Sequence, residues 1–213
     1  RNNDENIQKI YNFIEDERGL FFVCEFCELT LSEFAIAVRE PLKGTGYPIE
    51  LKFRGIINDL IKVLKETHAK GLYYGALLNP DDIQIKEARG KTPTQRFQIK
   101  LPHPFLAHIM TMINMVGGTE EFPSYFPPDV YVALEEFMKK DQTLPYYNEY
   151  FTNWDSISPL LDQRFDKWAL GYLLYWLIYN EKPFRFYSFK EAAKKCKNKN
   201  MRYKIYPKKI SYN

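Results

Sequence analysis

The segment from Phe165 to Tyr179 most constrains the fold, because it carries large apolar side chains on every side of a helical repeat. Leucine and isoleucine follow helical spacing at Leu170, Leu173, Leu174, Leu177 and Ile178, and the other sides carry Trp168, Tyr172, Tyr175 and Trp176. A helix that is apolar all round is covered by the rest of a core. The pattern therefore predicts a buried central helix over 165–179, and a chain of 213 residues is long enough to cover it.

The same segment bears on membrane insertion. Its nearly apolar run extends only from Trp168 to Tyr179, whereas a membrane span needs roughly 20 apolar residues. Residues 1–10 are polar and do not resemble a signal peptide. We therefore expect no membrane association.

Two hairpins and three further helices are predicted around this element. The alternation over 7–13 and the apolar run 20–26, joined by an acidic turn at 15–19, predict a hairpin. Thr30 or Ser32 is expected to cap a helix that ends near Val38, and Glu33 would complete a capping box from Thr30.

Further along, a helix over 50–70 is predicted to use one apolar face and to stop at Gly71. That face comprises Ile56, Ile57, Leu60, Ile61 and Leu64. Short strands around Ile83–Ile85 and Phe97–Leu101 would form a second hairpin, and 130–140 is predicted to be helical. The expected class is α+β, mostly α.

Charge and cysteine content restrict partners and compartment. The stretch 185–213 has ten basic residues and one acid, Glu191, although the whole chain is only +3. Such a stretch suits an acidic or phosphate-bearing partner, but lysine dominates and no base-stacking motif accompanies it, so nucleic acid is not the expected ligand. Cys24 and Cys27 form a C-x-x-C without a second pair, which favours a reducing compartment, the cytoplasm or another intracellular one.

Seven short motifs, in order along nearly the whole chain, resemble those of protein kinases. They correspond to the approach to the fourth strand, the fifth strand with the hinge, the helix after the hinge, the helix before the catalytic loop, the strand after that loop, and the "D-x-W-S-L-G" and "x-P-F" motifs. The segments are Asn6–Tyr11, Leu20–Cys27, Leu31–Phe34, Asp59–Gly71, Asn79–Ile85, Asp166–Gly171 and Lys182–Phe184.

The resemblance implies a domain organisation. Residues 1–27 would be the end of a small lobe with the hinge, and 28–213 most of a large lobe, as one folding unit cut at both ends. Glu25, Phe26 and Cys27 would be equivalent to the hinge that grips adenine. Structural roles are implied for Asp129, Asp166, Trp168 and Gly171, with Asp166 holding the catalytic loop.

The charged positions of phosphoryl transfer, however, carry other residues in this chain. The family's catalytic Asp falls on Ala76 or Leu77, and its catalytic Lys falls on Asn79 or Leu78. Neither Ala nor Leu accepts a proton, and the lost charges are central to transfer.

The metal-binding positions are also changed. The family's metal-binding Asn falls on Asp82, or on Asp81 in the shifted register, and a carboxylate there is a residual metal ligand at most. The Asp of the "D-F-G" motif falls on Pro102 or His103, and neutral imidazole is a poor ligand for a hard cation.

The resemblance therefore implies a pseudokinase, a kinase-shaped scaffold or regulatory module that binds an unidentified protein and needs no cofactor. One alternative is a divergent kinase that uses ATP and Mg²⁺ through Asp81, Asp82 and His103. Another is a degenerate fragment without an independent fold. Residues 27–34 are also similar to the hinge of the unfolded-protein-response kinase/endoribonuclease group.

Overall fold

The computed structural model describes residues 5–17, 19–46, 48–75, 78–87, 97–104, 106, 126–132, 162–183 and 189–198. The chain divides into two compact units, Arg1–His108 and Ile109–Asn213. Both helices and small antiparallel sheets are present, so the class is α+β. The predicted lobe boundary after residue 27 stays a prediction.

The first unit begins with the predicted hairpin, formed by β1 (Ile10–Asp16) and β2 (Gly19–Cys24). The strands are antiparallel, and an irregularity between Ile10 and Asn12 leaves Tyr11 without a partner on β2. The predicted turn at 15–19 is too long, because Glu15 and Asp16 belong to β1. Ile7, the predicted start of the first strand, forms an isolated parallel bridge with Leu101 instead.

A capping box starts α1 (Leu31–Arg39), and it resolves the choice between Thr30 and Ser32 in favour of Thr30. The Thr30 hydroxyl accepts from the Glu33 amide at 3.1 Å. The Glu33 carboxylate in return accepts from the Thr30 amide at 2.8 Å. Two amides that would otherwise lack partners are thus satisfied at the start of the helix. A short 3-10 turn, Glu40–Leu42, follows.

The long helix α2 spans Ile49–Ala69, close to the predicted bounds. Its buried face differs from the prediction, because Ile57 and Ile61 are only half-buried. The buried residues of α2 are Phe53, Ile56, Leu60, Val63, Leu64 and Thr67. Gly71 follows the helix with a φ of 73°, as its predicted role as a stop requires, and its amide donates to the carbonyl of His68 at 3.0 Å.

A three-stranded antiparallel sheet completes the first unit, with β4 (Gln84–Glu87) between β3 (Leu29–Thr30) and β5 (Phe97–Lys100). The predicted second hairpin, β4 with β5, is confirmed. The two-residue strand β3 was not predicted. Helix α1 contacts β3 and β4, and α2 contacts β5. Fully buried side chains include Leu31, Phe53, Leu60, Ile83, Ile99 and Leu101.

In the second unit, α3 (Gln163–Tyr179) is the predicted apolar helix and α4 spans Phe189–Lys197. Helix α3 is not covered on every side, since Lys167 and Gly171 are exposed. Residues 128–132 are helical, whereas 133–140 of the helix predicted at 130–140 lie outside the described residues. Among the helices of the described ranges, none combines the length and apolar content of a membrane crossing.

Two glycines, one inside α2 and one just after its end, allow a matched test of how backbone conformation affects stability. Gly71 has a positive φ and Gly55 lies in the helix interior, and an added Cβ meets no atom at either position. Gly71→Ala is expected to lower the free energy of unfolding by about 1 kcal/mol, because the left-handed conformation disfavours a Cβ. Gly55→Ala is expected to raise it by about 0.5–1 kcal/mol. Urea unfolding of both variants measures this, and a stabilising Gly71→Ala would contradict the assigned helix end.

Candidate functional site

A buried carboxylate with two lysines lies at the end of β2. Glu25 is only 6% exposed, and its Oε1 lies 2.5 Å from the Nζ of Lys86. Its Oε2 lies 3.1 Å from the Nζ of Lys100, a lysine that is itself only 5% exposed. The Lys9 amide also donates to Oε2 at 3.4 Å. We call Glu25, Lys86 and Lys100 the Glu25 ion cluster.

Burial and hydrogen bonding act in opposite directions on this carboxyl. Burial alone would raise the pKa of Glu25, but hydrogen bonds from Lys86 and Lys100 outweigh it, so the pKa lies below its usual range. The hydrogen bond to Glu25 in turn raises the pKa of Lys86. Both groups are therefore charged at neutral pH, as a stable buried ion pair requires.

The two lysines reach Glu25 because of strand alternation and register. Gln84 of β4 pairs with Lys100 of β5, and Lys86 pairs with Gln98. Alternate residues of a strand point to opposite faces, so both lysines share one face of the sheet and the buried Ile85 and Ile99 share the other. Neither lysine was predicted as a site residue, although the alternation of Lys86 and Lys100 with the apolar Ile85 and Ile99 indicates that the two lysines share one face.

The backbone of Glu25, the first of the three residues expected to correspond to a kinase hinge, is already engaged within the protein. The Glu25 amide donates to the Lys9 carbonyl at 2.8 Å. The Glu25 carbonyl accepts from the Gln8 side chain at 2.9 Å and from the Cys27 thiol at 3.8 Å. Phe26, which lies between Glu25 and Cys27 in the sequence, is 77% exposed.

The cysteines of the C-x-x-C are free, half-buried thiols. Burial raises the pKa of Cys24, and burial together with the Glu25 charge raises that of Cys27. A raised pKa keeps a thiol protonated and poorly nucleophilic. In the described part of the chain, no group of three His, Cys, Asp or Glu side chains is arranged to hold a metal ion.

The last residues of the expected catalytic loop and those that follow it form a closed turn over 79–83. The Asn79 carbonyl accepts from the amides of Asp82 and Ile83 at 3.1 and 3.2 Å. The Asn79 side chain donates to the Asp82 carboxylate at 3.2 Å and accepts from the Asp81 amide at 3.3 Å. Asn79 and Asp82, two of the expected site residues, thus hold one turn together.

The environment of Asp82 favours its neutral form. Burial raises the pKa of Asp82 to about 6, although the hydrogen bond from Asn79 opposes the rise. Asp81 is exposed at the same turn. Ala76 and Leu77, the expected positions of the catalytic Asp, lie outside the described residues. His103 is exposed, and its carbonyl accepts from the Leu106 amide at 2.8 Å.

The expected structural residues of the second unit differ in burial. Asp166 is fully buried, Trp168 is half-buried, and Asp129 and Gly171 are exposed. The side chain that caps α3 belongs to Asp162, whose carboxylate accepts from the Arg164 amide at 2.8 Å.

Aromatic rings surround the first turn of α3. The Phe126 ring lies edge-on to Phe165 with centroids 5.3 Å apart, and it stacks on Tyr131 at 5.8 Å. The Tyr131 hydroxyl also accepts from the Phe126 amide at 3.2 Å. Phe165, the residue before the buried Asp166, therefore belongs to a ring cluster at the start of α3.

Comparison with known proteins gave no match, either to models of protein families or to curated sequences.

The Glu25 ion cluster predicts a strong energetic coupling between Glu25 and Lys100. Glu25→Gln is expected to lower the free energy of unfolding by about 3 kcal/mol, because it leaves a buried lysine without its carboxylate. Combined with Lys100→Met, the loss should be smaller than the sum of the single losses by at least about 1 kcal/mol. Urea unfolding of the four proteins gives this coupling.

Glu66→Gln is the control, because Glu66 forms an exposed pair with Lys62 at 4.0 Å. Its expected effect is below about 0.5 kcal/mol. Additive losses for Glu25→Gln and Lys100→Met would contradict the cluster.

The raised pKa of Asp82 predicts that the stability of the fold depends on pH. Its pKa is about 6 in the folded chain and about 3.9 when unfolded. Its stabilising contribution is therefore complete below pH ~4 and is lost as the pH rises through 6. Asp82→Asn is expected to match the parent at pH ~4 and to exceed its free energy of unfolding by about 2 kcal/mol at pH ~8.

Urea unfolding at the two pH values measures the difference. Glu17→Gln, at the exposed hairpin turn, makes the same charge change and should leave the pH dependence unaltered. A pH dependence that persists in Asp82→Asn would show that another group causes it.

Proposed function

We propose that this chain is a pseudokinase: a kinase-shaped scaffold or regulatory module that binds another protein and does not transfer phosphoryl groups. The observation that carries the proposal is the closed turn over 79–83. The two polar residues at the expected Lys and metal-ligand positions, Asn79 and Asp82, hydrogen-bond to each other at 3.2 Å. The Asn79 side chain also accepts from the Asp81 amide at 3.3 Å, so it is used within the turn.

The charge balance of this turn also favours a non-catalytic role. Phosphoryl transfer depends on positive charge and metal ions around the phosphate. Asn79 is neutral and supplies no positive charge to a phosphate, and the Asp82 carboxylate already accepts a hydrogen bond from Asn79. The nearby position expected to supply a second metal ligand carries Pro102 or His103.

The hinge-equivalent segment supports the same conclusion for adenine. One edge of adenine presents an amino donor beside a ring-nitrogen acceptor, so a backbone that binds it must offer an acceptor and a donor. The Glu25 amide is already bonded to Lys9, and the Glu25 carbonyl to Gln8. Nucleotide would have to compete with bonds internal to the protein.

The order of elements in the first unit favours a kinase-like shape over an unrelated one. The antiparallel hairpin is followed by a short helix, a long helix ended by glycine, and a small second hairpin. This is the order that the sequence resemblance implies from the fourth strand to the segment before the "D-F-G" position.

A thermal-shift titration with ATP, with and without Mg²⁺ or Mn²⁺, tests the proposal. A ligand that binds only the native state raises the melting temperature of the protein. At a ligand concentration 100 times the dissociation constant, the free energy of unfolding rises by about 2.7 kcal/mol. We expect one cooperative transition that nucleotide does not move. A melt without cooperativity would contradict the proposal and favour a degenerate fragment.

A metal-dependent rise in melting temperature would also contradict the proposal and favour the divergent kinase. Asp82→Asn and Asp81→Asn would then be compared, because the Asp82 carboxylate is half-buried and bonded to Asn79, whereas Asp81 is exposed. Loss of the rise in Asp82→Asn alone would identify this residue as a metal ligand.

A further inference from the structure

The β1–β2 hairpin exposes apolar side chains to an unusual degree. Tyr11 is 64% exposed, Phe13 67% and Ile14 50%, and Phe21 and Val23 of β2 are also exposed. A two-stranded hairpin is marginally stable by itself, and additional strands with an apolar face stabilise it. In the described part of the chain, β1 pairs with β2 alone.

The outer edge of β1 presents backbone groups that the hairpin does not use. The Phe13 amide donates to the side chain of Asn12 at 2.9 Å. Backbone groups of successive residues in a strand point to opposite edges, so Phe13 and Glu15 point outward while Asn12 and Ile14 face β2. An exposed edge of this kind is a template for another strand.

The residues along this edge are complementary to a second copy of themselves. The irregularity makes Tyr11 an extra residue of β1. When Tyr11 is left out of the count, Lys9 lies three positions before Phe13 and Asp16 lies three positions after it. When two copies pair antiparallel about Phe13, the opposed residues are Phe13 with Phe13, Asn12 with Ile14, Ile10 with Glu15, and Lys9 with Asp16.

Charge selects this arrangement over the parallel one. Lys9 precedes the strand and the acids Glu15, Asp16 and Glu17 end it, so only antiparallel pairing brings opposite charges together at both ends. A two-fold axis at Phe13 repeats the Lys9–Asp16 contact. The two Phe13 residues would exchange amide and carbonyl bonds, and the amide would leave Asn12 to do so.

We propose that the chain forms a two-fold dimer through antiparallel pairing of β1 with β1 of a second copy, giving a four-stranded sheet. Pairing along one strand covers less area than a standard interface, so the dimer is concentration-dependent. The proposal rests on the hairpin alone and does not depend on the kinase-like interpretation.

Charge exchange tests the register directly, with sedimentation equilibrium as the measurement. Lys9→Glu sets a glutamate against Asp16 at both ends of the paired strands, and Asp16→Lys sets two lysines against each other there. Each variant alone is expected to dimerise at least about tenfold more weakly than the parent, since cross-strand charge pairs contribute in both directions.

In an equimolar mixture, the heterodimer of the two variants has opposite charges at both ends. At one end, the new glutamate of Lys9→Glu opposes the new lysine of Asp16→Lys. At the other end, the unchanged Asp16 and Lys9 oppose each other as in the parent. We therefore expect heterodimers whose affinity is within about threefold of the parent's. Lys65→Glu, at an exposed position of α2, makes the same charge change as Lys9→Glu and should leave dimerisation unchanged. Thermal melts of each variant verify that the fold persists.

Three results would overturn the proposal. A parent chain that stays monomeric at every concentration would leave the edge to a strand of another protein. A dimer that both single variants preserve would use another surface. A mixture that stays as weak as its components would show that Lys9 and Asp16 do not meet. Nucleotide titration does not bear on any of these, so this proposal and the proposed function can fail independently.

Discussion

The burial of the Glu25 carboxylate is the constraint on which the first unit depends. A carboxylate that is 6% exposed is stable only with nearby positive charge and hydrogen bonds. Here the positive charge comes from β4 and β5, and a backbone hydrogen bond comes from the Lys9 amide before β1. One side chain thereby connects the hairpin to the three-stranded sheet, across sequence separations of 61 residues to Lys86 and 75 to Lys100.

The sequence predicted those features whose causes are local. The capping box from Thr30 to Glu33 and the helix stop at Gly71 depend on residues within a few positions of one another, and each hairpin pairs neighbouring strands of the sequence. The buried face of α2 was only partly predicted, because Phe53 and Val63 compete with Ile57 and Ile61 for burial. Only the packing partners of the helix decide which apolar side faces inward.

The features that could not be predicted depend on distant parts of the chain. No local pattern pairs Glu25 with Lys86 and Lys100. For the candidate site, the sequence identified the altered positions Asn79, Asp82 and His103, but the hydrogen bond between Asn79 and Asp82 required the geometry of the turn. Glu25, Asn79 and Asp82 have in common that their polar side-chain atoms bind other parts of the protein, which is the physical basis for proposing a module that does not transfer phosphoryl groups.

The most direct test of this account is an NMR titration of the Glu25 carboxyl in the folded chain. The account predicts a pKa below about 4.3, the usual value of a glutamate, because Lys86 and Lys100 donate to its ionised form. A pKa at or above that value would contradict the account, since burial would then outweigh the two lysines and the carboxylate could not connect the hairpin to the sheet.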